Sequence, residues 1–394
     1  MTRMDVAVLG IKRMDVAVLG GGPAGLAAAI ALRQRGCRVA LYDGQRPPID
    51  KACGEGLMPE AVRLLQELGV ALGSDDGAPM TGISFHDAHG RASAAFGEGA
   101  GLAVRRTRLQ SRMAARAEEM GIEMHWGACV RAVTDGGFAS AGKAIQAAFF
   151  VIADGLRSTL AEASGFRERR CHSTRYASRQ QFRCAPWSNC VQVYWGSHEQ
   201  LYVTALGDDE VGVALLTTKR GRRLSDALPD FPDVAKRIAG AARTSGMRGA
   251  VTKTRSLREV IRGNVAVLGD ASGSVDAVTG EGLLNALQQA HALAEAIAAG
   301  KPESYAEAHR QISKGPQRMA RLLLLLDRLP WLERAFVATM ARRPESFAAL
   351  LRVHLAEQTW LSFAKDEAAT LMMGRRERVH WQPYAVEAYR ERGL

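Results

Sequence analysis

The sequence predicts an α/β fold in which a mainly antiparallel β domain is inserted into a parallel sheet with helices, and a helical C-terminal region follows. Three observations predict it. A strand–turn–helix–strand unit occupies residues 15–43, alternating apolar residues typical of antiparallel strands dominate 171–216, and helical periodicity prevails after Pro302. Since 394 residues exceed most single cores, we expect two domains that share an interface.

The unit over residues 15–43 has the order and spacing of a dinucleotide-binding βαβ motif. An apolar strand, Val16–Leu19, runs into the turn Gly20-Gly21-Gly22-Pro23-Ala24-Gly25, which fits G-x-G-x-x-G. An alanine-rich helix ends at Gly36, and a second strand ends at Asp43. In such a unit the first motif glycine makes the tight turn, the second lets the backbone approach a pyrophosphate, and the third lets the helix and strand pack closely. The acidic residue accepts hydrogen bonds from ribose hydroxyl groups.

The remaining elements follow from local patterns taken in chain order. We expect a helix over 59–68, two strands within 81–95, a strand over 101–106 and a helix from about Thr107. Strands over 122–126, 129–133 and 144–153 precede the alternating stretch, which a helix around 224–242 and a strand near 251–258 close. A buried strand over 264–268, a long helix over 281–299 and helices to about residue 360 complete the chain.

Composition narrows the classes of partner. The formal net charge is +11, which suits nucleic acid, an anionic membrane surface or an anionic small molecule. The basic residues are scattered and no nucleic-acid motif accompanies them, so we expect no nucleic-acid partner. The six cysteines lack metal-site spacing, so we expect no metal and reduced thiols. No secretory signal or membrane-spanning segment is evident, which favours a cytoplasmic protein, with peripheral membrane contact as an alternative.

Two further turns stand at the ends of apolar strands, as ligand-binding turns do in α/β proteins. Asp154-Gly155 follows the strand that ends at residue 153, and Gly269-Asp270 follows the strand over 264–268. The second turn leads to Thr279-Gly280-Glu281-Gly282 and a long helix. Each of these turns is common by itself, and their order along the chain carries the inference.

These turns, together with Arg106, resemble the FAD-dependent oxidoreductases of the p-hydroxybenzoate-hydroxylase fold, which include class A flavin monooxygenases and geranylgeranyl reductases. The resemblance covers roughly residues 14–300 and implies a Rossmann-like FAD-binding domain. It implies cofactor contacts for these residues: Gly20, Gly22, Pro23, Ala24, Gly25, Asp43, Arg106, Val130, Asp154, Gly155, Gly269, Asp270, Gly280 and Gly282. Asp270 would bond the ribityl hydroxyls, Arg106 the phosphate and ribityl region, and Val130 would face the adenine.

The resemblance also implies a domain order. The FAD-binding domain would comprise 1–80, 101–170 and 261–300, and the substrate domain 81–100 and 171–260, followed by a helical region over 301–394. Two departures stand out: Ala161 replaces the arginine of the family's Asp-Gly fingerprint, and Ala277 replaces a proline of relatives. The departure at Ala161 concerns the part of the fingerprint that would face NAD(P)H, and it does not affect the expected FAD contacts.

The function that the resemblance favours is an NAD(P)H- and O₂-dependent monooxygenase. It would hydroxylate a hydrophobic aromatic substrate, phenolic or derived from a polyketide or lipid, through a flavin hydroperoxide. One alternative is a geranylgeranyl-reductase-like ene-reductase of isoprenoid double bonds, because the Cys53-Gly54-x-Gly56 loop is similar to that of those reductases. Another is a non-catalytic flavin-binding partner at a membrane surface, through the apolar segment 322–336. The candidate catalytic side chains are Cys53, His172 and Tyr202; substrate identity and oligomeric state stay open.

An octapeptide, RMDVAVLG, occurs twice, at residues 3–10 and 13–20, and only the second copy continues into the glycine turn. We interpret residues 1–12 as a surplus duplicated segment.

Removal of residues 1–12 is therefore expected to leave the amount of bound FAD unchanged, measured by flavin absorbance of the purified protein. Loss of flavin on truncation would contradict this interpretation.

Overall fold

A computed structural model gives the fold and describes residues 15–87, 90–97, 99–133 and 137–373. The surplus segment 1–12 lies outside the described residues. The strands that the model describes are, in chain order, β1 (Asp15–Leu19), β2 (Arg38–Asp43), β3 (Gly56–Leu57), β4 (Gly77–Met80), β5 (Gly82–His86), β6 (Arg91–Ala95), β7 (Gly101–Val104), β8 (Glu123–Trp126), β9 (Val130–Ala132), β10 (Phe138–Ser140), β11 (Lys143–Ala144), β12 (Phe149–Ile152), β13 (Glu168–Arg183), β14 (Cys190–Gly196), β15 (Glu199–Gly207), β16 (Glu210–Thr217), β17 (Arg248–Leu257), β18 (Ile261–Arg262), β19 (Val265–Val267) and β20 (Gly273–Ser274).

The helices follow the strands in the expected alternation and then dominate the C-terminal part. In chain order they are α1 (Pro23–Gln34), α2 (Pro59–Glu67), α3 (Arg106–Glu119), α4 (Thr159–Ala163), α5 (Leu224–Ala227), α6 (Pro232–Arg237), α7 (Gly282–Ala298), α8 (Tyr305–Arg328), α9 (Pro330–Arg342), α10 (Pro344–His354) and α11 (Trp360–Met373). Prolines stand at or next to the starts of α9 and α10 and break the apolar C-terminal stretch into separate helices. The α/β class is confirmed.

A six-stranded sheet of order β18-β19-β12-β1-β2-β8 carries the dinucleotide-type unit. Its pairs are parallel except that between β18 and β19. The strands β1, β12 and β19 are almost wholly apolar and buried, because helices cover both faces of such a sheet. At the sheet, the buried Tyr305 at the start of α8 donates to the carbonyl of Val267, 3.1 Å away, and ties the helical region to β19.

An eight-stranded sheet of order β20-β17-β13-β16-β15-β14-β5-β6 forms the second layer. It is antiparallel except where β14 runs parallel to β5. Its strands come from residues 82–95 and 168–257, together with the short β20 from the turn after Asp270. The sheet thus reaches back to the cofactor-type domain through β20. Two three-stranded sheets, β11-β10-β9 and β3-β7-β4, flank the layers.

The helical region packs on the free end of the eight-stranded sheet. An apolar cluster joins sheet residues such as Ile83 and Trp195 to helix residues such as Leu323, Leu326 and Phe347. The apolar stretch 322–336 therefore lies partly in a core. Leu325 and Trp331, however, keep 46% and 66% of their surface exposed.

A buried polar network connects the three parts of the chain. Arg175 on β13 is 1% exposed, and its guanidinium lies 3.5 Å from Asp276 and 3.4 Å from Asp327. It also donates to Gln200 at 2.6 Å, and Gln200 donates to Asp327 at 2.7 Å. Asp276 further accepts from the Val278 amide. The network joins the large sheet, the turn before α7, and α8.

The expected single helix over 224–242 is wrong. The structure has two short helices, α5 and α6, separated by a 3₁₀ turn over Leu228–Asp230. Pro229 and Pro232 lack the amide hydrogens that a continuous helix needs, so the chain turns there. The expected strand over 101–106 is also shorter, because it ends at Val104 and α3 begins at Arg106.

Candidate functional site

A cavity of about 450 Å³ lies where the two large sheets and the helical region meet. It opens at the carboxyl ends of β1, β12 and β19, the usual ligand site of a parallel sheet. Among the residues implied by the resemblance, those that line it are Gly22, Pro23, Ala24, Arg106, Gly155, Gly269, Asp270, Gly280 and Gly282. The fold therefore brings together turns that lie up to 260 positions apart in the chain, from Gly22 to Gly282.

The first turn of this site leaves no room for side chains. A Cβ on Gly20, whose φ is +124°, would lie 2.4 Å from the Ala153 carbonyl oxygen, and one on Gly25 would lie 1.8 Å from the Gly20 oxygen. Helix α1 then begins at Pro23, with Gly22 as its N-cap and no side-chain cap. Its first amide groups stay available for an anion at the cavity wall.

Asp43, Val130 and Asp154 lie outside the cavity lining, as do Gly20 and Gly25 of the first turn. The Asp43 carboxylate accepts from the Gly21 amide at 2.6 Å and from the Gln45 amide at 2.7 Å, so it braces the glycine turn. Val130 is half-buried on β9 and packs against the main core. Their contacts with ribose and adenine stay predictions.

Arg106 stands at the start of α3 and faces the glycine turn. Its Nη2 atom lies 3.8 Å from the position that a Cβ on Gly22 would take, and its buried Nε has no hydrogen-bond partner. Its backbone amide donates to Glu55 at 3.1 Å, which fixes the start of the helix. A guanidinium held in this way beside a helix N-terminus suits a phosphate group.

The other two turns supply carboxylates. Burial raises the pKa of Asp154, and its Oδ1 atom has no partner. Protein atoms surround Asp270 on most sides, but its side chain is exposed to the open space of the cavity. Burial raises its pKa as well, while Arg106, Lys51 and Arg255 oppose the rise. Within the described part of the chain, no donor hydrogen-bonds the Asp270 carboxylate, so it can accept from the hydroxyl groups of a ligand.

A pair of neutral titratable groups stands at the start of α7. Glu281, which precedes Gly282, is 4% exposed, and burial raises its pKa to about 8. Its Oε2 lies 3.7 Å from Nδ1 of His354 at the end of α10, and neither of these two atoms makes a hydrogen bond to any residue that the structure describes. Thr279 hydrogen-bonds both side chains. Burial lowers the pKa of His354 to about 4. At neutral pH the pair therefore holds one proton on the carboxyl group, and His354 borders the cavity.

The three candidate catalytic residues differ in position. Cys53 lines the cavity, and its Sγ accepts from the Glu55 amide at 3.4 Å. Tyr202 also lines it, but its hydroxyl donates to the Val278 carbonyl at 3.2 Å, and burial raises its pKa far above the usual range. The backbone of His172 belongs to β13, and its side chain lies outside the described residues. A catalytic role for each stays a prediction.

Four residues at the site carried no clear sequence signal. Glu55 is a buried carboxylate with a φ of +62°, and it accepts two bonds of 2.8 Å from Gln181. Arg179 is 2% exposed, borders the cavity and pairs with Asp50 at 2.5 Å. Lys51 lines the cavity beside Gly155. His354 is the last residue of α10, and no motif in the sequence accompanies it.

The remainder of the cavity is an apolar chamber between the eight-stranded sheet and the helical region. Its walls are Met80, Ile83, Phe85, Val191, Val193, Leu216, Val278, Met319, Leu323, Phe347, Leu350 and Leu351. Such a lining accepts a hydrophobic molecule and offers few hydrogen bonds to orient it. The polar turns and the apolar chamber form one continuous space.

The family described as "FAD binding domain" matches residues 13–308. A menaquinone reductase of Mycolicibacterium smegmatis is 28% identical over 374 residues, covering 82% of this chain and 85% of that protein. A Rhodococcus erythropolis protein, provisionally named 2-heptyl-3-hydroxy-4(1H)-quinolone synthase AqdB1, is 27% identical and covers 82% of this chain and 91% of its own length.

Solved structures agree on the fold. The flavin-dependent brominase Bmp2 aligns with a TM-score of 0.76 at 19% identity, over 93% of this chain and 100% of that one. A 2-methyl-3-hydroxypyridine-5-carboxylic acid oxygenase aligns with a TM-score of 0.67 at 21% identity, over 79% of this chain and 90% of that one. None of the helices in the described part of the chain is long and apolar enough to span a membrane.

The residues present fit FAD, because an anion cradle at α1, an unpartnered guanidinium nitrogen and a free carboxylate converge on one cavity.

We expect Asp270→Ala to lose most bound FAD and to keep its fold, since the substitution removes an acceptor for the ribityl hydroxyls. Flavin absorbance and circular dichroism measure the two properties. Asp230→Ala is the control: it removes an exposed carboxylate that does not line the cavity, so this variant should keep its FAD. Full flavin content in Asp270→Ala would refute the placement.

Proposed function

Because the chain belongs to the FAD binding domain family, we propose that this FAD-dependent oxidoreductase saturates a carbon–carbon double bond in a hydrophobic, isoprenoid-containing substrate such as a lipid quinone. NAD(P)H is the proposed reductant. The observation that carries the proposal is the continuity of the cavity, in which an apolar chamber directly adjoins the cofactor-type turns. The relationship to a menaquinone reductase supports a reductase over the monooxygenase that the sequence motifs favoured.

The chemistry needs two hydrogens from different sources. When bound, reduced FAD supplies a hydride to one carbon of the double bond. The other carbon takes a proton, and we assign that proton to Glu281 and His354. Glu281 carries it at neutral pH, and His354, 3.7 Å from Glu281, lines the cavity. The apolar walls keep water away from the reacting carbons.

The loop over residues 53–56, whose sequence is similar to that of geranylgeranyl reductases, supports the same proposal through its position at the cavity wall. Cys53, Gly54 and Gly56 lie on the cavity wall, and Thr204 on β15 donates to the Gly54 carbonyl at 3.0 Å. Glu55 is held by Gln181 of β13 and by the Arg106 amide, so the loop is anchored to the eight-stranded sheet and to the start of α3. An anchored loop fixes the width of the chamber next to the cofactor site.

Aromatic hydroxylation is the second candidate, favoured by the motif resemblance and by the relative named for a quinolone. In that reaction the protein must take a proton from a phenol-type hydroxyl. The unpartnered Nδ1 of His354 is a proton acceptor at neutral pH, because its pKa of about 4 keeps the imidazole neutral. The cavity therefore suits both reactions, and oxygen dependence separates them.

Anaerobic turnover distinguishes the two candidates. Protein reduced with NAD(P)H under nitrogen and supplied with a menaquinone should give a product that is still two hydrogens heavier after the ring has been reoxidised to the quinone, detected by mass spectrometry. A gain of two hydrogens that reoxidation removes would mean that only the quinone ring had been reduced. A phenolic or quinolone substrate should give no product under these conditions. A product that forms only with O₂ and gains an oxygen atom would replace the reductase with the hydroxylase.

The rate of the reductase should depend on the protonation of Glu281. Burial raises its pKa to about 8, so the proton is present below that pH and is lost above it. We expect turnover to fall about tenfold per pH unit above about 8. Glu281→Gln should lower the maximal rate by about 10²-fold or more and should remove this pH dependence.

Glu295→Gln, an exposed carboxyl group on the same helix, is the matched control and should keep both the rate and the pH profile. If Glu281→Gln retained the fall above pH 8, the titrating group would be another residue and the assignment of the proton would be wrong. Flavin absorbance measured for each variant separates an effect on turnover from loss of the cofactor.

A further inference from the structure

The outer face of α8 and the start of α9 form a continuous exposed surface that the proposed reaction does not use. It carries Lys314, Arg318, Arg321, Leu325, Arg328, Trp331 and Arg334, which we call the basic face. On α8 these positions recur every three or four residues, so they lie on one side of the helix. From 314 to 328 they extend over about 21 Å, at about 1.5 Å per residue.

The segment that carries the basic face contains few acidic residues. Residues 308–344 contain eight Lys or Arg residues and two acids, Asp327 and Glu333. Asp327 is 8% exposed and belongs to the Arg175 network. Glu333 is half-buried, and burial raises its pKa to about 7, so it holds only part of a negative charge near neutral pH.

The cations of the basic face are also available. Within the described part of the chain, no ion pair joins Arg318, Arg321 or Arg328 to a carboxylate, whereas other exposed arginines of the helical region, such as Arg310, do pair. Two large apolar side chains stand among them. Leu325 is 46% exposed and Trp331 is 66% exposed.

We propose that the basic face docks the protein on an anionic lipid bilayer. Arginine and lysine are attracted to acidic headgroups, and an exposed tryptophan flanked by Arg328 and Arg334 suits the interface, where an indole ring meets both headgroups and acyl chains. A nucleic-acid partner would use the cations but would leave Leu325 without a role, since its alkyl side chain finds no apolar surface on a phosphate backbone.

The inner side of the same helix supports this orientation. Met319 and Leu323, which alternate with the residues of the basic face, line the apolar chamber. One helix, about 10 Å thick, therefore separates the proposed bilayer surface from the cavity. A water-insoluble substrate of the proposed kind would then leave the bilayer next to the chamber. The docking itself is independent of the reaction, because it concerns surface residues that touch neither cofactor nor substrate.

Vesicle cosedimentation of the full-length, FAD-loaded protein tests the proposal without turnover. We expect binding to vesicles of phosphatidylcholine and phosphatidylglycerol in equal parts, little binding to phosphatidylcholine alone, and weaker binding as salt is raised. The triple variant Arg318→Gln, Arg321→Gln, Arg328→Gln should bind about 100-fold more weakly, since each basic side chain near an acidic surface contributes a factor of about five.

The matched control is Arg131→Gln, Arg220→Gln, Arg243→Gln, which makes the same change in net charge at exposed arginines elsewhere and should bind like the parent. Trp331→Ala should weaken binding and leave its salt dependence unchanged. Equal losses in both triple variants would mean that only the net charge acts, and the proposal would fail.

Two other outcomes would also overturn it. If the parent protein does not bind vesicles but slows the migration of duplex DNA in a gel, and the first triple variant does not slow it, the basic face binds nucleic acid. If the parent ignores vesicles and sediments as a dimer that Trp331→Ala dissociates, the face contacts a second copy. Activity measured on a detergent-dispersed substrate reports separately on the proposed reaction, so failure of one proposal is distinguishable from failure of the other.

Discussion

The buried guanidinium of Arg175 is the interaction on which the arrangement of the whole molecule depends. An unpaired charge in this position would be very costly, so Asp276, Asp327 and Gln200 must all be in place around it. These partners belong to the turn before α7, to α8 and to the large sheet. The requirement to satisfy one arginine therefore holds three separately folded layers at fixed distances, and the cavity is the space that they leave between them.

The chemistry of the cavity follows from this burial. A group at its polar end faces the first amides of α1 and the Asp270 carboxylate, whereas the other end is closed by apolar side chains from the sheet and from α8 and α10. The same closure removes water from Glu281 and His354, which raises the pKa of the acid and lowers that of the imidazole. A neutral pair able to give or take a proton is thus a consequence of packing rather than of any local motif.

Helix α8 shows how one segment meets two demands. Its inner residues Met319 and Leu323 complete the chamber, and its outer residues carry positive charge. The apolar stretch 322–336 was open to two interpretations from sequence, as a core helix or as an interfacial patch. Both apply to different residues: Leu323 and Leu326 are buried, whereas Leu325 and Trp331 are exposed. Hydropathy averaged over the stretch conceals this division, because it ignores which side of the helix faces the sheet.

The sequence by itself predicted the α/β class, the flavin cofactor and three turns expected to bind it. The first turn could be recognised because a glycine turn between strand and helix depends on local backbone geometry: no side chain fits at Gly25. Prolines at 229 and 232 overrode the helical pattern of 224–242, and that too is local. Only the tertiary structure decided that Glu281 meets His354, that Glu55 and Arg179 anchor the loop, and that Tyr202 bonds a backbone carbonyl. Those contacts join residues about 50 or more positions apart. The burial that shifts the pKa values of Glu281, His354 and Tyr202 exists only once the layers have packed.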